Sequence, residues 1–258
     1  MFSISKSRIT SIAIMLTMAT WALVLGGWWL KGLVMLLGAL MSYEYSKMFK
    51  SSVILDTLAL GALWAFAAMY PARILEIAAG FLMLFGLTII RNMGNKHMVL
   101  SSISPIYIGL PILATLHIIE TQPLYMVIYM FVITISSDTG GMMFGKFFEG
   151  PKLAPKISPG KTWSGFFGGI FLAFIFGTLF MFVVLFENNA HVPVGSLWFW
   201  IYTSIGLSVA SAAGDLFESK LKRVAGVKDS SRLIPGHGGV LDRFDSLLGV
   251  VSVFIFLV

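Results

Sequence analysis

The chain has 258 residues, of which 57% are hydrophobic and only 12% are charged. A soluble domain has about a quarter charged residues, so this composition excludes an ordinary soluble globule and predicts a membrane protein. The absence of cysteine excludes disulfides, thiol nucleophiles and cysteine-ligated metal sites. A formal net charge of +6 favours anionic lipid headgroups and phosphorylated molecules over nucleic acid as partners, because no soluble basic domain is present to hold nucleic acid.

The first apolar run follows two basic residues, Lys6 and Arg8, as in a secretory signal. No small-residue cleavage pattern comes after it, since Gly26–Trp29 reads Gly-Gly-Trp-Trp, and a retained first span is predicted. A span needs roughly 20 apolar residues, and runs near that length predict an all-α, polytopic transmembrane bundle of about nine spans. In chain order they cover Ile9–Leu25, Trp28–Ser42, Val53–Tyr70, Ile74–Ile90, Leu100–Ile119, Leu124–Ser137, Trp163–Phe186, Leu197–Ala213 and Ser246–Val258.

The distribution of basic residues predicts the orientation of the spans across the membrane. If the N-terminus is cytoplasmic and the spans alternate, all but two of the 18 lysines and arginines fall in cytoplasmic segments. The exceptions are Lys31 and Arg73. This bias predicts a multi-pass protein with a cytoplasmic N-terminus, in the inner membrane if the chain is bacterial. It also places two long polar segments, Ser136–Thr162 and Gly214–Asp245, on the same cytoplasmic face, where they can meet.

Most of the 12 carboxylates lie in these two polar segments. Asp138 is predicted to end one apolar helix and Asp215 another, whereas Asp242 and Asp245 begin the last helix and share one of its faces. Ionisable groups at membrane depth are costly and are therefore functional candidates. Carboxylates suit Mg²⁺, which takes one or two of them together with substrate phosphates. For each acid alone, the alternative is a helix cap or a balancing charge.

Lysines alternate with prolines just before the seventh predicted span. The prolines remove backbone donors and predict an ordered, turn-rich loop instead of a helix. Lys161 and Thr162 then open the span, whose first N–H groups are free to bind an anion. The alternative is a juxtamembrane patch that binds anionic lipid without specificity. The alternating residues are Lys152, Lys156 and Lys161 with Pro151, Pro155 and Pro159.

Two further patterns lie in the second polar segment. Asp215, Ser219 and Lys222 share a helix face at i, i+4 and i+7, which suits a metal-bound polyphosphate. His237 stands in a glycine cluster that lets the backbone approach a ligand closely, although a lone histidine is more often structural. Together these residues predict metal-assisted phosphoryl or nucleotidyl chemistry at the cytoplasmic leaflet. They do not identify the nucleotide, because the sequence has no Walker loop and no dinucleotide-binding glycine motif.

The stretch Ser219–Asp245, SKLKRVAGVKDSSRLIPGHGGVLDRFD, closely resembles the signature of the phosphatidate cytidylyltransferases, or CDP-diacylglycerol synthases. Gly214–Glu218 and Lys152–Trp163 also resemble this family, whereas the N-terminal spans match it only in being apolar. The resemblance implies transfer of the cytidylyl group of CTP to phosphatidic acid, giving CDP-diacylglycerol and pyrophosphate in phospholipid biosynthesis. It also implies a need for Mg²⁺, assisted by a monovalent cation such as K⁺.

The resemblance further assigns roles by motif position. Metal ligands are expected at Asp215, Asp242, Asp245 and Asp138. The expected catalytic set is Asp215 and Asp242 with Lys222, Arg223 and His237. Lys222 and Arg223, together with Lys228, are expected to stabilise the leaving pyrophosphate or the charge of the transition state. Substrate contacts are expected from Lys156, Ser158, Lys161, Thr162, Ser219, Lys228, Asp229, Gly238, Gly239 and Arg243, without a division between lipid phosphate and nucleotide.

The chain is predicted to divide into N-terminal transmembrane helices over residues 1–122 and a catalytic transmembrane region over residues 123–258. Its expected partners are CTP, phosphatidic acid and the bilayer, and a homodimer is left open. The alternative function is a CTP-dependent kinase of a polyprenol-type lipid, which would transfer the γ-phosphate. An ion-coupled transporter would instead place its acids near the middle of the spans.

Overall fold

The computed structural model describes residues 17–51, 53–95, 97–187, 194–234 and 238–258, and these residues are mostly helical. The first five helices are α1 (residues 17–25), α2 (Gly27–Met48), α3 (Val53–Met69), α4 (Ile74–Arg91) and α5 (Met98–Ser102), and a π-helical turn over Pro105–Gly109 follows them. The remaining elements are α6 (Leu110–Thr121), α7 (Leu124–Phe148), strands β1 (Lys152–Ala154) and β2 (Ser158–Thr162), α8 (Trp163–Glu187), α9 (Val194–Ala225) and α10 (Leu241–Phe254).

Within the described residues, four helical segments are long and apolar enough to cross a membrane. They are Val99–Thr121, Leu124–Phe148, Trp163–Phe186 and Leu197–Ala225, and Leu55–Met69 is a shorter apolar helix. The prediction of a helical membrane protein is therefore confirmed. Much of the first predicted span, residues 9–16, lies outside the described residues.

The prediction that Asp138 and Asp215 end their helices is wrong. Asp138 lies inside α7, which continues to Phe148, and Asp215 lies inside α9, which continues to Ala225. Polar residues end an apolar run, but they do not break the backbone hydrogen bonds of a helix. α9 ends where Gly226 takes a φ of 73°, a left-handed conformation that commonly closes helices.

The chain folds as two compact units. The first unit contains the described residues up to Thr121 together with Val224–Phe244. In its core, the indole N–H of the fully buried Trp64 donates to Gly109 O at 3.2 Å. Arg91 forms an ion pair with Asp56, whose side chain is almost completely buried. Buried hydrogen bonds of this kind satisfy polar groups that would otherwise be costly in an apolar interior.

The second unit contains Gln122–Arg223 and Asp245–Val258, and glycines set its close helix packing. A Cβ added at Gly140 of α7 would lie 2.4 Å from Gly168 O of α8, and one at Gly165 would lie 2.5 Å from Gly141 O. Only glycine permits such an approach, as in the small-residue interfaces of membrane helices. We call this contact between α7 and α8 the glycine seam.

A similar contact joins α9 to the second-unit part of α10. A Cβ at Gly214 would lie 2.5 Å from Asp245 O, and one at Gly249 would lie 2.3 Å from Ala210 O. The two backbones therefore touch beside Asp215 and Asp245. The loop rich in lysine and proline is not helical, as predicted, and forms an antiparallel hairpin in which Lys152 pairs with Thr162 and Ala154 with Ser158.

Candidate active site

A cavity of about 800 Å³ lies in the second unit. α7 contributes Asp138 and Lys146 to its lining, and α9 contributes Asp215. Glycines of α7 and α8 also line the cavity and add no side-chain bulk to it: Gly141, Gly145, Gly165 and Gly169. The β-hairpin and its flanks contribute Glu149, Gly150, Lys152, Leu153, Gly160, Lys161 and Thr162.

The cavity brings together four of the residues predicted from sequence, namely Asp138, Lys161, Thr162 and Asp215. Lys161 Nζ lies 2.7 Å from Asp215 Oδ2, and Asp138 lines the same space. Ser219 Oγ donates to Asp215 Oδ1 at 3.3 Å, which confirms that these two side chains share one face of α9. Lys161 and Asp215 are each partly exposed, at 23% and 31%, so a ligand could reach both.

Thr162 has a structural role at the start of α8. Its Oγ1 accepts a hydrogen bond from Gly165 N at 3.1 Å, which caps the N-terminus of α8, and the side chain is buried. Ser164 Oγ, 3.1 Å away, accepts a bond from Gly150 N at 3.2 Å. These contacts fix the hairpin against the start of α8 and so fix the position of Lys161.

Three carboxylates interact electrostatically near the cavity: Asp138, Asp215 and Asp245. Burial, followed by the charge of Asp215, raises the pKa of Asp245 well above its usual range, and Lys222 opposes this effect. Ser246 Oγ donates to Asp138 Oδ1 at 3.2 Å. Ionising one of these carboxylates raises the cost of ionising the others, and a bound cation would lower that cost.

The donor set fits Mg²⁺ in chemistry. Among the described residues, no three His, Asp or Glu side chains form a group that could hold a metal alone. Mg²⁺ seldom needs such a cage, since one or two carboxylates and substrate phosphates commonly complete its coordination. Asp215 with Asp138 or Asp245 is the pair that fits this requirement.

Asp242 lies in the first unit and is bound to the signature loop, which we define as residues 226–240. Asp242 Oδ2 accepts hydrogen bonds from Gly239 N at 2.8 Å and from Ser230 N and Oγ at 3.0 Å each. Gly238 has a φ of 88°, as its glycine identity suggests. His237 lies outside the described residues, so its role stays a prediction.

The other predicted residues are more dispersed. Lys156 is exposed in the hairpin turn and Ser158 begins β2, and neither lines the cavity. Lys222 pairs with the buried Glu218, and Arg223 Nε donates to Ile157 O at 3.2 Å. In the first unit, Lys228, Asp229 and Arg243 are all exposed.

Sequence reasoning missed Glu44 of α2, a fully buried carboxylate bound to the signature loop. Its signal was weak, because Lys47 follows at i+3, the spacing of an exposed helical ion pair. Lys47 instead lies 5.8 Å from the ring centroid of Tyr43. Lys146 and Glu149, which line the cavity, were also not among the predicted contacts.

Comparison with known proteins identifies the family to which this chain belongs. The family model described as "Cytidylyltransferase family" matches residues 6–258. The chain therefore belongs to the cytidylyltransferase family.

Individual relatives have a more specific name. Proteins named phosphatidate cytidylyltransferase from Haemophilus influenzae and Staphylococcus aureus strain COL are 44% and 42% identical over 131 and 132 residues. Each alignment covers 51% of this chain, but only 44% and 48% of the relative, so the chain spans about half the length of these two. One of the same name from Rickettsia felis is 40% identical over 167 residues, which are 62% of this chain and 73% of the relative.

Proposed function

We propose that this chain transfers the cytidylyl group of CTP to phosphatidic acid and releases pyrophosphate. The observation that carries the proposal is the cavity in which Lys146, Lys152 and Lys161 lie beside Asp138 and Asp215. Both substrates are polyanions, and their mutual repulsion is the main obstacle to reaction. A site that alternates ammonium groups with carboxylates can hold phosphates directly and through a cation.

The chain's residues have distinct tasks in this reaction. The phosphate of phosphatidic acid is already an anion, so it can attack the α-phosphorus of CTP without a strong base, and pyrophosphate leaves from the opposite side. Lys161, Lys146 and Lys152 bind phosphate oxygens in the cavity. Lys222 and Arg223 are proposed to stabilise the charge that develops on pyrophosphate.

Asp215 with Asp138 and Asp245 would hold Mg²⁺, and Asp242 is retained as a fourth proposed ligand. When bound, Mg²⁺ neutralises polyphosphate charge, and a monovalent cation such as K⁺ is proposed to assist. The ion pair with Lys161 orients the Asp215 carboxylate. The hydrogen bond from Ser246 orients Asp138 in the same way.

The proposed arrangement in the membrane is nine spans with the N-terminus and both polar segments in the cytoplasm. Two physical arguments support it. The basic residues concentrate on one side when the predicted spans alternate. The acyl chains of phosphatidic acid are costly to move into water, so its phosphate has to be met at headgroup depth. Accessibility of single cysteines introduced at Lys47 and Arg73 would test it, because only the cysteine at residue 47 should be labelled from the cytoplasm.

The proposed activity is tested with purified protein in detergent, α-labelled CTP, phosphatidic acid and Mg²⁺. We expect label in lipid with the wild type and a loss of at least about 100-fold with Asp215→Asn, since one electrostatic contact to the reacting phosphates can supply roughly 3 kcal/mol. Glu76→Gln is the matched control, because Glu76 is an exposed acid paired with Arg73. Its activity should equal that of the wild type.

Each result has a separate meaning. Equal labelling by the wild type and Asp215→Asn would keep the reaction and reject Asp215 as a site residue. No lipid label from α-labelled CTP, with label from γ-labelled CTP on an added polyprenol, would replace the proposal with the kinase. A loss in Glu76→Gln equal to that in Asp215→Asn would reject a specific site effect.

A further inference from the structure

Glu44 makes an unusual set of contacts near the C-terminal end of α2. Its carboxylate is fully buried and has four donors within hydrogen-bond distance. Oε1 accepts from Ser231 Oγ at 2.5 Å and Val240 N at 2.9 Å. Oε2 accepts from Leu241 N at 2.7 Å and lies 3.1 Å from Ser230 Oγ, whose single proton is donated either to Glu44 or to Asp242. All four donors lie 186–197 residues later in the chain, within the same unit as Glu44.

Two of these donors lie in the first half of the signature loop, and the other two are the last residue of the loop and the first residue of α10. Ser230 and Ser231 precede the segment 235–237, and Val240 and Leu241 follow it. Glu44 therefore links Ser230 and Ser231 to Val240, and we call these three residues, together with Gly239, the loop base. It also accepts a hydrogen bond from the first N–H of α10, where a carboxylate is electrostatically favoured. The other hydrogen bonds within the described part of the loop are local, such as Ile234 N to Gly238 O at 2.9 Å.

The loop base is packed too closely to accept a side chain at Gly239. A Cβ at Gly239 would lie 2.0 Å from Ser230 Oγ and 2.7 Å from Glu44 Oε2. Ser230 Oγ also lies 3.0 Å from Asp242 Oδ2, so one hydroxyl is within hydrogen-bond distance of both carboxylates. Glu44 and Asp242 thus share the donors of a single compact loop base.

We propose that Glu44 is a positioning residue that holds the signature loop and the first turn of α10 in their working shape. The role needs an acceptor-only group, because all four partners donate. A glutamine would turn an NH₂ toward two of those donors and lose their bonds. Glu44 is not among the residues that line the cavity, and its contribution to rate rests on the proposed function. Its contribution to loop order does not depend on that function.

The first test measures loop order by hydrogen–deuterium exchange in detergent. In Glu44→Gln, the amides of Val240 and Leu241 and the peptides covering 226–234 should exchange about tenfold faster or more, since hydrogen bonds to a charged group are lost. α3 and α4 should keep their protection. The matched control is Asp56→Asn, which removes a buried carboxylate of the same unit, paired with Arg91 and away from the loop.

The outcomes of this test are decisive. Faster exchange in the loop in Glu44→Gln alone supports the proposal. Unchanged loop exchange in Glu44→Gln, or an equal increase in Asp56→Asn, overturns it. If Glu44→Gln is not monodisperse, Ser231→Ala replaces it, because this variant removes one of the four donors. We then expect about threefold faster exchange at the loop, and no change would overturn the proposal.

The second test separates positioning from a merely structural role by kinetics. On the folded fraction, Glu44→Gln should lower kcat for cytidylyl transfer about tenfold or more while KM for each substrate changes less than about threefold. Ser231→Ala should fall between it and the wild type, and Asp56→Asn should keep the wild-type kcat. A normal kcat in Glu44→Gln, or an equal loss in Asp56→Asn, would overturn the positioning role. A wild type that transfers no label refutes the proposed function instead, and hydrogen exchange then still tests Glu44.

Discussion

Replacing Gly140 by alanine tests whether the glycine seam positions the cavity. The added Cβ would lie 2.4 Å from Gly168 O, 2.9 Å from Gly168 C and 3.0 Å from Gly169 Cα. Non-bonded atoms are most favourable at about 3.5–4.0 Å, so α7 and α8 would have to separate by roughly an ångström. Overpacking of this size costs about 1–3 kcal/mol.

The neighbouring residue provides a matched control. A Cβ at Gly141 would meet nothing closer than Gly165 O at 3.7 Å, an ordinary contact. Both alanines gain about the same helix propensity, up to about 1 kcal/mol, so the difference between the two variants isolates packing. For a chain of this size, that difference corresponds to thermal midpoints about 2–12 °C apart.

The assay is thermal unfolding of both variants in the same detergent, followed by loss of monodisperse protein. We expect Gly140→Ala to unfold at a lower temperature than Gly141→Ala, and Gly141→Ala to match or exceed the wild type. Equal midpoints for the two variants would refute the argument, because the helices would then part without cost. A lower midpoint for Gly141→Ala would refute the assignment of the close contact to Gly140.

Three other predictions follow from the same geometry. Lys146→Met should raise KM for an anionic substrate about fivefold, because roughly 1 kcal/mol of charge interaction is lost. Lys156→Met should raise KM less, because Lys156 does not line the cavity, and equal KM values for the two variants would contradict this prediction. Mg²⁺ added after chelation should raise the thermal midpoint of the wild type more than that of Asp215→Asn, and equal shifts would place the ion elsewhere. Gly239→Ala should lower the thermal midpoint through its clash with Ser230, whereas Gly206→Ala should not, because a Cβ there would have nothing within 4 Å. Equal midpoints for the two variants would show that the loop base accommodates the added methyl group without cost.

Sequence patterns predicted some elements almost to the residue. The apolar run predicted to be the seventh span, Trp163–Phe186, corresponds to α8 at Trp163–Glu187. This agreement arises because Thr162 and the prolines before it leave the backbone no helical continuation, so the apolar run and the helix begin together. The prolines also predicted that the lysine-rich segment is not helical. The sequence did not predict that Lys152 pairs with Thr162 in a β-hairpin.

Helix ends at α7 and α9 could not be predicted in this way. Hydropathy reports where polar residues begin, and both helices continue beyond that point with their hydrogen bonds intact. After Asp138, α7 runs on through Met142 and Phe147 to Phe148, with glycines that pack on α8. The signal for this continuation was the spacing of Gly141 and Gly145 opposite Gly165, which is typical of close helix pairs.

The long-range contacts of single carboxylates also could not be predicted from the sequence. Glu44 and its four donors are separated by 186–197 residues, and no periodicity connects positions so far apart. Asp242 was expected to bind metal, and the sequence did not predict that it accepts hydrogen bonds from backbone and hydroxyl donors of the signature loop. A loop that needs two carboxylates at its base is recognised only when its donors are seen together.

The position of Asp138 and Asp215 inside helices bears on the choice between an enzyme and an ion-coupled transporter. Acids near the middle of the spans were expected of a transporter, and both acids lie inside helical segments long enough to cross a membrane, so position alone does not separate the two functions. The lysines do so, because Lys146, Lys152 and Lys161 line the same cavity. A cation passing this point would meet three ammonium groups, and each raises the local potential against it. A phosphate-bearing substrate accompanied by a cation matches both sets of charges, and α7, α9 and the β-hairpin position those charges before the substrate arrives.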